Sequence, residues 1–309
     1  MGTADGIIER TLSYPDVDAR DRFNRLMGID AQKNRLINIL SILMNPSGLE
    51  AWGKKHHPDA RHLVERVVRR PPLIVLAGDV GCGKTELAES VGDPIARQEK
   101  VDVSLLPLSL SSRGQGRVGE MTQLLSSAFD ALAEAASKVK SISGKHRGGV
   151  ILLVDEADAL AQSREMAQMH HEDRAGVNAF IRGVDRIASR HLPAAVLMCT
   201  NRLSALDPAV RRRAADVLTF GRPDPEQRRL VFEEALSGLG FSSGQVADLV
   251  EATGAAEGRD YGFTFSDLTQ RLLPAMVLDS YPHAPVTAKR SIEIARGIAP
   301  TAPFRDEGL

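Results

Sequence analysis

The run LIVLAGDVGCGKTELAESVG at residues 73–92 constrains this chain more than any other, because an apolar stretch breaks into glycines and then into helix-forming residues. Gly78-Asp79-Val80-Gly81-Cys82-Gly83-Lys84-Thr85 satisfies G-x-x-x-x-G-K-[ST] at every fixed position, after a β-type run and before a helix. Glycines let the backbone curl so that successive N–H groups face inward, and the following helix N-terminus adds partial positive charge. The loop therefore reads as a polyphosphate cradle. Lys84 is expected at the β and γ phosphates of a nucleoside triphosphate and Thr85 on Mg2+, with Glu86 opening the helix behind them. A chance glycine turn is the bland alternative, and motif and context together argue against it.

A strand feeding such a loop needs a covered sheet. With 309 residues, 43% of them hydrophobic, the chain can bury one. Continuous apolar strands are predicted from residue 73 into the glycine loop, at 101–110, in VILLVDEADAL from residue 150, in AAVLMCTN at 194–201 and at 216–220, alternating with helices at 120–139 and 174–189. That alternation predicts a five-stranded parallel sheet covered on both faces. Before it, a helix around Leu36, Ile39, Leu40 and Leu43 is stopped by Asn45-Pro46. Residues 1–27 are polar, are punctuated by Pro15, and carry no predicted element. After GRPDPEQRR the strand signals cease and short helices follow. The expected organisation is thus an N-terminal segment (1–27), an α/β nucleotide domain (28–221) and a helical lid (222–309).

Asp155-Glu156 ends the third apolar strand. A buried strand opening into two acids places one in the magnesium shell and leaves the other to deprotonate the attacking water. Asp155 is assigned to the metal, through water, and Glu156 to the base. Asn201, polar at the end of the next strand, is suited to hold that water or the γ-phosphate. Arg211, Arg212 and Arg213 follow in LDPAVRRRAADV; a phosphate-binding patch or a solvated helix face are the plainer readings. Their spacing from Asn201 favours arginine fingers for a neighbouring subunit's γ-phosphate, with Arg212 and Arg213 foremost.

Composition and charge weigh against several classes without removing the nucleic-acid one. A formal net charge of −1 provides no basic field for nucleic acid or an anionic membrane. No run approaches a membrane span and MGTADGIIER lacks signal-peptide character, so a cytoplasmic protein is expected. Two cysteines, Cys82 and Cys199, make neither a disulfide framework nor a zinc pattern. Cys82 reads as a small loop-filling residue rather than a reactive thiol. His56-His57 and His170-His171-Glu172-Asp173 lack metal-ligand spacing, and the basic stretch 54–70 reads as a solvated or inter-subunit face. Trp52 reads as a packing anchor.

With the lid signature YGFTFSDLTQRL from Tyr261, these motifs make the chain resemble the AAA+ ATPase superfamily from about Gly28 to Ser280. That resemblance implies ATP with Mg2+, a helical lid and a homo-oligomeric, usually hexameric ring. It puts Asp155 and Glu156 at the Walker B acids, Asn201 at sensor 1 and Gly28-Ile29 near the adenine. It also aligns Ser266 with a lid arginine of related proteins, Arg271 being a substitute. Arg117-Val118-Gly119 falls where protein-threading members carry a pore loop. DEADAL, the spacing from Arg174 through Ile187, and GFTFSDL are similar to the pachytene-checkpoint type, which remodels HORMA-domain proteins. The resemblance implies a HORMA-domain substrate converted from closed to open, with compact bacterial relatives beside second-messenger defence systems. Two other classes stay open on the residues alone: a DNA-directed loader using Arg211–Arg213 and 54–70, and a nucleotide-gated scaffold hinted at by Ser266.

Overall fold

The computed structural model describes residues 10–110, 120–141, 145–160 and 171–303. The chain forms two compact units. One comprises Met1–Arg25, Ala31–Ala77 and Thr85–Thr219; the other comprises Leu26–Asp30, Gly78–Lys84 and Phe220–Leu309.

The strands are β1 (Leu12–Tyr14), β2 (Leu73–Gly78), β3 (Asp102–Ser109), β4 (Gly148–Asp155), β5 (Ala194–Thr200) and β6 (Ala214–Phe220). They form one sheet in the order β1-β3-β4-β5-β2-β6. The β3–β4, β4–β5 and β2–β5 pairs are parallel, which accounts for their unbroken apolar sequences: every β5 residue is buried, as a strand covered on both faces requires. In β3–β4 the register sets Ser109 against Asp155 at the carboxyl edge.

The expectation of five strands is corrected to six. The extra one, β1, lies antiparallel to β3, and a helix Val17–Arg25 follows it. Tertiary contacts make this strand. Gly92 lacks the Cβ that would stand 2.3 Å from the Tyr14 ring, so Tyr14 sinks to 3% exposure and its hydroxyl donates to the Glu89 carbonyl. Buried Asp93 accepts the Asp16 N–H at 2.8 Å and pairs with Arg97.

Helix Glu120–Val139 buries Leu125, Ala128, Phe129, Leu132 and Ala136 at helical spacing, and packs against helix His171–Ser189. There Phe129 and Phe180 meet edge-to-face at 5.6 Å. Gly183 makes room for the contact, since a Cβ would lie 2.2 Å from the Phe129 ring. The predicted stop at Asn45-Pro46 separates helix Asp30–Met44 from Pro46–His56. Trp52 does not anchor the core: it is 46% exposed, with ring centroids 5.0 Å from His57 and 6.0 Å from His56.

In the second unit, helices Pro225–Ala235, Ser243–Ala252, Leu273–Ser280 and Ala288–Gly297 enclose Phe232, Leu249, Phe263, Leu268 and Leu272. Capping boxes at Asp224/Gln227 and Ser242/Gln245 start the first two. A π-helical turn, Asp267–Leu272, leads into Leu273–Ser280. Among the described residues no helix is long and apolar enough to cross a membrane.

Candidate functional site

The carboxyl edge of the sheet carries the acids. Asp155 ends β4 half-buried; its carboxylate accepts the Glu156 N–H at 2.9 Å and the Thr85 hydroxyl at 3.3 Å. Burial pushes its carboxyl pKa above the ordinary value, and those two hydrogen bonds only partly oppose the shift. Glu156 is exposed and held at φ +52°, a left-handed conformation uncommon for a non-glycine residue. The Ser109 hydroxyl donates to its Oε2 at 3.0 Å. Ser109 is absent from the sequence-derived site, although its register with Asp155 carries it to the same edge.

Asn201 follows β5. Both Asp158 oxygens hold it: Oδ1 accepts the Asn201 N–H at 2.9 Å and the Thr200 hydroxyl at 2.6 Å, while Oδ2 accepts Asn201 Nδ2 at 3.0 Å. Because a carboxylate only accepts, this contact fixes which way the Asn201 amide faces. Asp158 is the second residue that sequence reasoning missed. The DEADAL segment contains it, but its partners lie 43 residues away at the Asn201 main chain and side chain.

Of the three arginines, Arg211 and Arg212 are exposed. They end a short helix, Pro208–Arg211, whose N-cap Asp207 accepts the Ala209 N–H. Arg213 is half-buried and its guanidinium grips Asp185 through Nε at 2.8 Å and Nη2 at 2.9 Å. Glu86, in the first turn of helix Lys84–Ser90, faces Arg22 at 3.4 Å.

The phosphate loop belongs to the second unit. Gly81 and Gly83 adopt φ of +71° and +86°. A Cβ on Gly81 would come within 2.8 Å of the Thr264 hydroxyl, and one on Gly78 within 1.9 Å of the Phe220 carbonyl oxygen. These positions admit only glycine. Lys84 is 7% exposed and donates to the Gly78 and Asp79 carbonyls at 2.9 and 2.8 Å, so its ammonium is held inside the loop's own curl. Val80 is exposed. Cys82 is buried, and burial pushes its thiol up to about 11, so it is protonated at neutral pH and fills space as the sequence suggests.

Other parts of this unit close on the loop. The Ser266 N–H donates to the Gly81 carbonyl at 3.0 Å, and Arg222 pairs with Asp79. Gly28, at φ +73°, lies against Gln227, whose Nε2 donates to the Gly28 carbonyl at 2.5 Å; neighbouring Ile29 is buried. Arg271 points to Asp267, at 2.7 Å. Arg117, Val118 and Gly119 lie outside the described residues. Among the described residues no group of three or more His, Cys, Asp or Glu could hold a metal ion.

A glycine-built phosphate loop and acids at the carboxyl ends of parallel strands are marks of a P-loop NTPase. The sequence matches the ATPase family associated with various cellular activities (AAA) over residues 74–222. CD-NTase-associated protein 6 of Escherichia coli strain MS 115-1 is 59% identical over 302 residues, 98% of this chain and 97% of that protein. A chain of the solved E. coli MS115-1 HORMA:CdnC:Trip13 complex superposes with a TM-score of 0.89 at 58% identity, covering 96% of this chain and 97% of its own. A Rhizobiales Trip13 structure gives 0.76 at 53% identity, covering 96% and 100%. The chain belongs to the AAA ATPase family, in the group it forms with the CD-NTase-associated protein 6 relatives.

Proposed function

We propose that this chain is an ATP-driven remodeller working as a homo-oligomeric, hexameric ring. It locally unfolds a HORMA-domain protein through a central pore, converts it from closed to open, and so disassembles the complex that sustains a bacterial second-messenger defence response. The observation that carries this reading is the near-full-length likeness to a chain solved in a HORMA:CdnC:Trip13 complex.

In this reading residues 28–221 form the nucleotide domain and 222–309 the lid. The loop N–H groups of residues 78–85 and Lys84 bind the phosphates of ATP, and Gly28-Ile29 line the adenine. The donor set fits Mg2+: a hydroxyl at Thr85 hydrogen-bonded to the Asp155 carboxylate is the oxygen pair a hard cation takes, Asp155 acting through water. The bound ion would neutralise charge on the β and γ phosphates. Glu156 accepts the proton of the attacking water, a role supported by its exposed position and by the Ser109 hydroxyl on its Oε2. Asn201 positions the water. Arg212 and Arg213 serve the neighbouring subunit's nucleotide; the Asp185 grip presets Arg213, and exposed Arg212 reaches out. Arg117, Val118 and Gly119 contact the substrate in the pore.

Glu156→Gln tests the reading. The variant should bind ATP and Mg2+, lose hydrolysis, and retain a HORMA-domain protein from native lysate; Ala at Arg117 and Val118 should abolish that retention. Recovery of nucleic acid alone, lost in high salt, would refute the remodeller in favour of a DNA-directed ATPase.

A further inference from the structure

The second residue of the phosphate loop is an acid, which is unfavourable beside a polyanion. A carboxylate there repels each phosphate charge by an amount that stays appreciable over several ångströms at a protein surface. The structure shows what balances it. Arg222, two residues past the end of β6, donates from Nε to Asp79 Oδ2 at 2.7 Å, and its Nη2 lies 2.7 Å from the same oxygen. Only the Nε contact has hydrogen-bond geometry, so the buried Nη2 adds charge rather than a second bond. Both side chains are largely buried, at 14% and 17% exposure. At such exposure the pair attracts more strongly than a solvated one, and losing one member leaves an uncompensated charge.

Arg222 does more than neutralise. Its Nη1 donates to the Gly262 carbonyl at 2.6 Å, and its guanidinium sits 4.9 Å from the centre of the Tyr261 ring. One side chain therefore joins the phosphate loop to the start of the GFTFSDL segment. That segment returns to the loop through the Ser266 N–H on the Gly81 carbonyl. The arginine within the signature itself, Arg271, is committed to buried Asp267.

We propose that Arg222 is a positioning residue for nucleotide binding, acting through Asp79: it cancels the acid in the phosphate loop and pins residues 261–262 to it. This rests on reading the loop as the ATP site. Losing the guanidinium removes that counter-charge from Asp79 beside the phosphates, although its Oδ1 still accepts the Val80 N–H at 2.8 Å, whereas losing both charges removes the repulsion.

The test compares wild type, Arg222→Ala, Asp79→Asn and the double variant for equilibrium binding of a fluorescent ATP analogue with Mg2+ and for steady-state hydrolysis. Arg222→Ala should raise Kd and KM about tenfold while kcat changes less than about threefold. Adding Asp79→Asn should recover most of that loss, and the penalty of Arg222→Ala should shrink in high salt. A double variant no better than Arg222→Ala, each still folded by circular dichroism, would overturn the proposal and leave Arg222 a packing residue. Should Arg222→Ala alone fail to fold, Arg222→Lys replaces it, since it keeps the charge without the fork; it should retain affinity within about threefold, and a full loss would overturn charge compensation. Failure of the wild type to bind the analogue would instead refute the nucleotide site itself.

Discussion

Asp158→Asn should slow ATP hydrolysis with little effect on ATP binding, for a reason that lies in one amide. Asp158 accepts three hydrogen bonds, from the Thr200 hydroxyl at 2.6 Å, the Asn201 N–H at 2.9 Å and Asn201 Nδ2 at 3.0 Å. An asparagine there has one oxygen and one NH2 group. If its oxygen stays with the two partners of Oδ1, its NH2 meets Asn201 Nδ2, donor against donor. Relief comes from rotating the Asn201 amide, which turns Nδ2 toward the side that Oδ1 faced. In the proposed mechanism that side holds the attacking water, so an acceptor becomes a donor. One hydrogen bond misplaced in the transition state is worth about 1.5–3 kcal/mol, so kcat should fall about 10- to 100-fold. KM should change less than about threefold if Asn201 holds the water, as proposed, and not the γ-phosphate. The assay is steady-state phosphate release over an ATP titration, with melting curves as a fold control. A kcat within twofold of wild type would refute the argument, as would an equal loss in nucleotide affinity.

Two further outcomes concern stability. Burial alone would raise the Asp267 carboxyl, but N–H groups of Thr264 and Thr301, the Thr301 hydroxyl and Arg271 outweigh it and pull the pKa down from 3.8 to about 2. A depressed carboxylate stabilises the fold above its unfolded pKa, and that contribution is lost as pH falls from about 4 through about 2. Asp267→Asn should therefore cost roughly 2 kcal/mol at pH 7 and flatten the acid limb of a circular-dichroism titration; an unchanged limb would contradict it. Gly183→Ala forces a methyl into the Phe129 ring and should destabilise by about 1–3 kcal/mol in thermal denaturation, with nucleotide affinity retained where the protein is folded.

Contiguous chemistry was legible before any coordinates. The phosphate loop, the acids ending β4 and the strands β2 to β6 are written in short runs whose local order determines their geometry. Pairings across the chain were not. Asp158 meets Asn201 across 43 residues and Arg222 meets Asp79 across 143, and nothing local to either partner signals the other. Ser109 reaches the site through strand register, a property of two segments. At three residues, β1 is too short for alternation to show, and its existence depends on Gly92 leaving space for a ring. Arg213 reads in sequence as an arginine finger, and its grip on Asp185, 28 residues earlier on helix His171–Ser189, has no local signal.

The brief β1 has an effect on what the sheet can join. Without it, eight residues of β3 would present unpaired backbone groups, a length sufficient to template another chain. With Tyr14 seated under Gly92, β1 pairs with Val103, Ser104 and Leu105 and does not extend along residues 106–109 of β3. A strand arriving at that side then meets a border that β1 interrupts, not one running the length of β3.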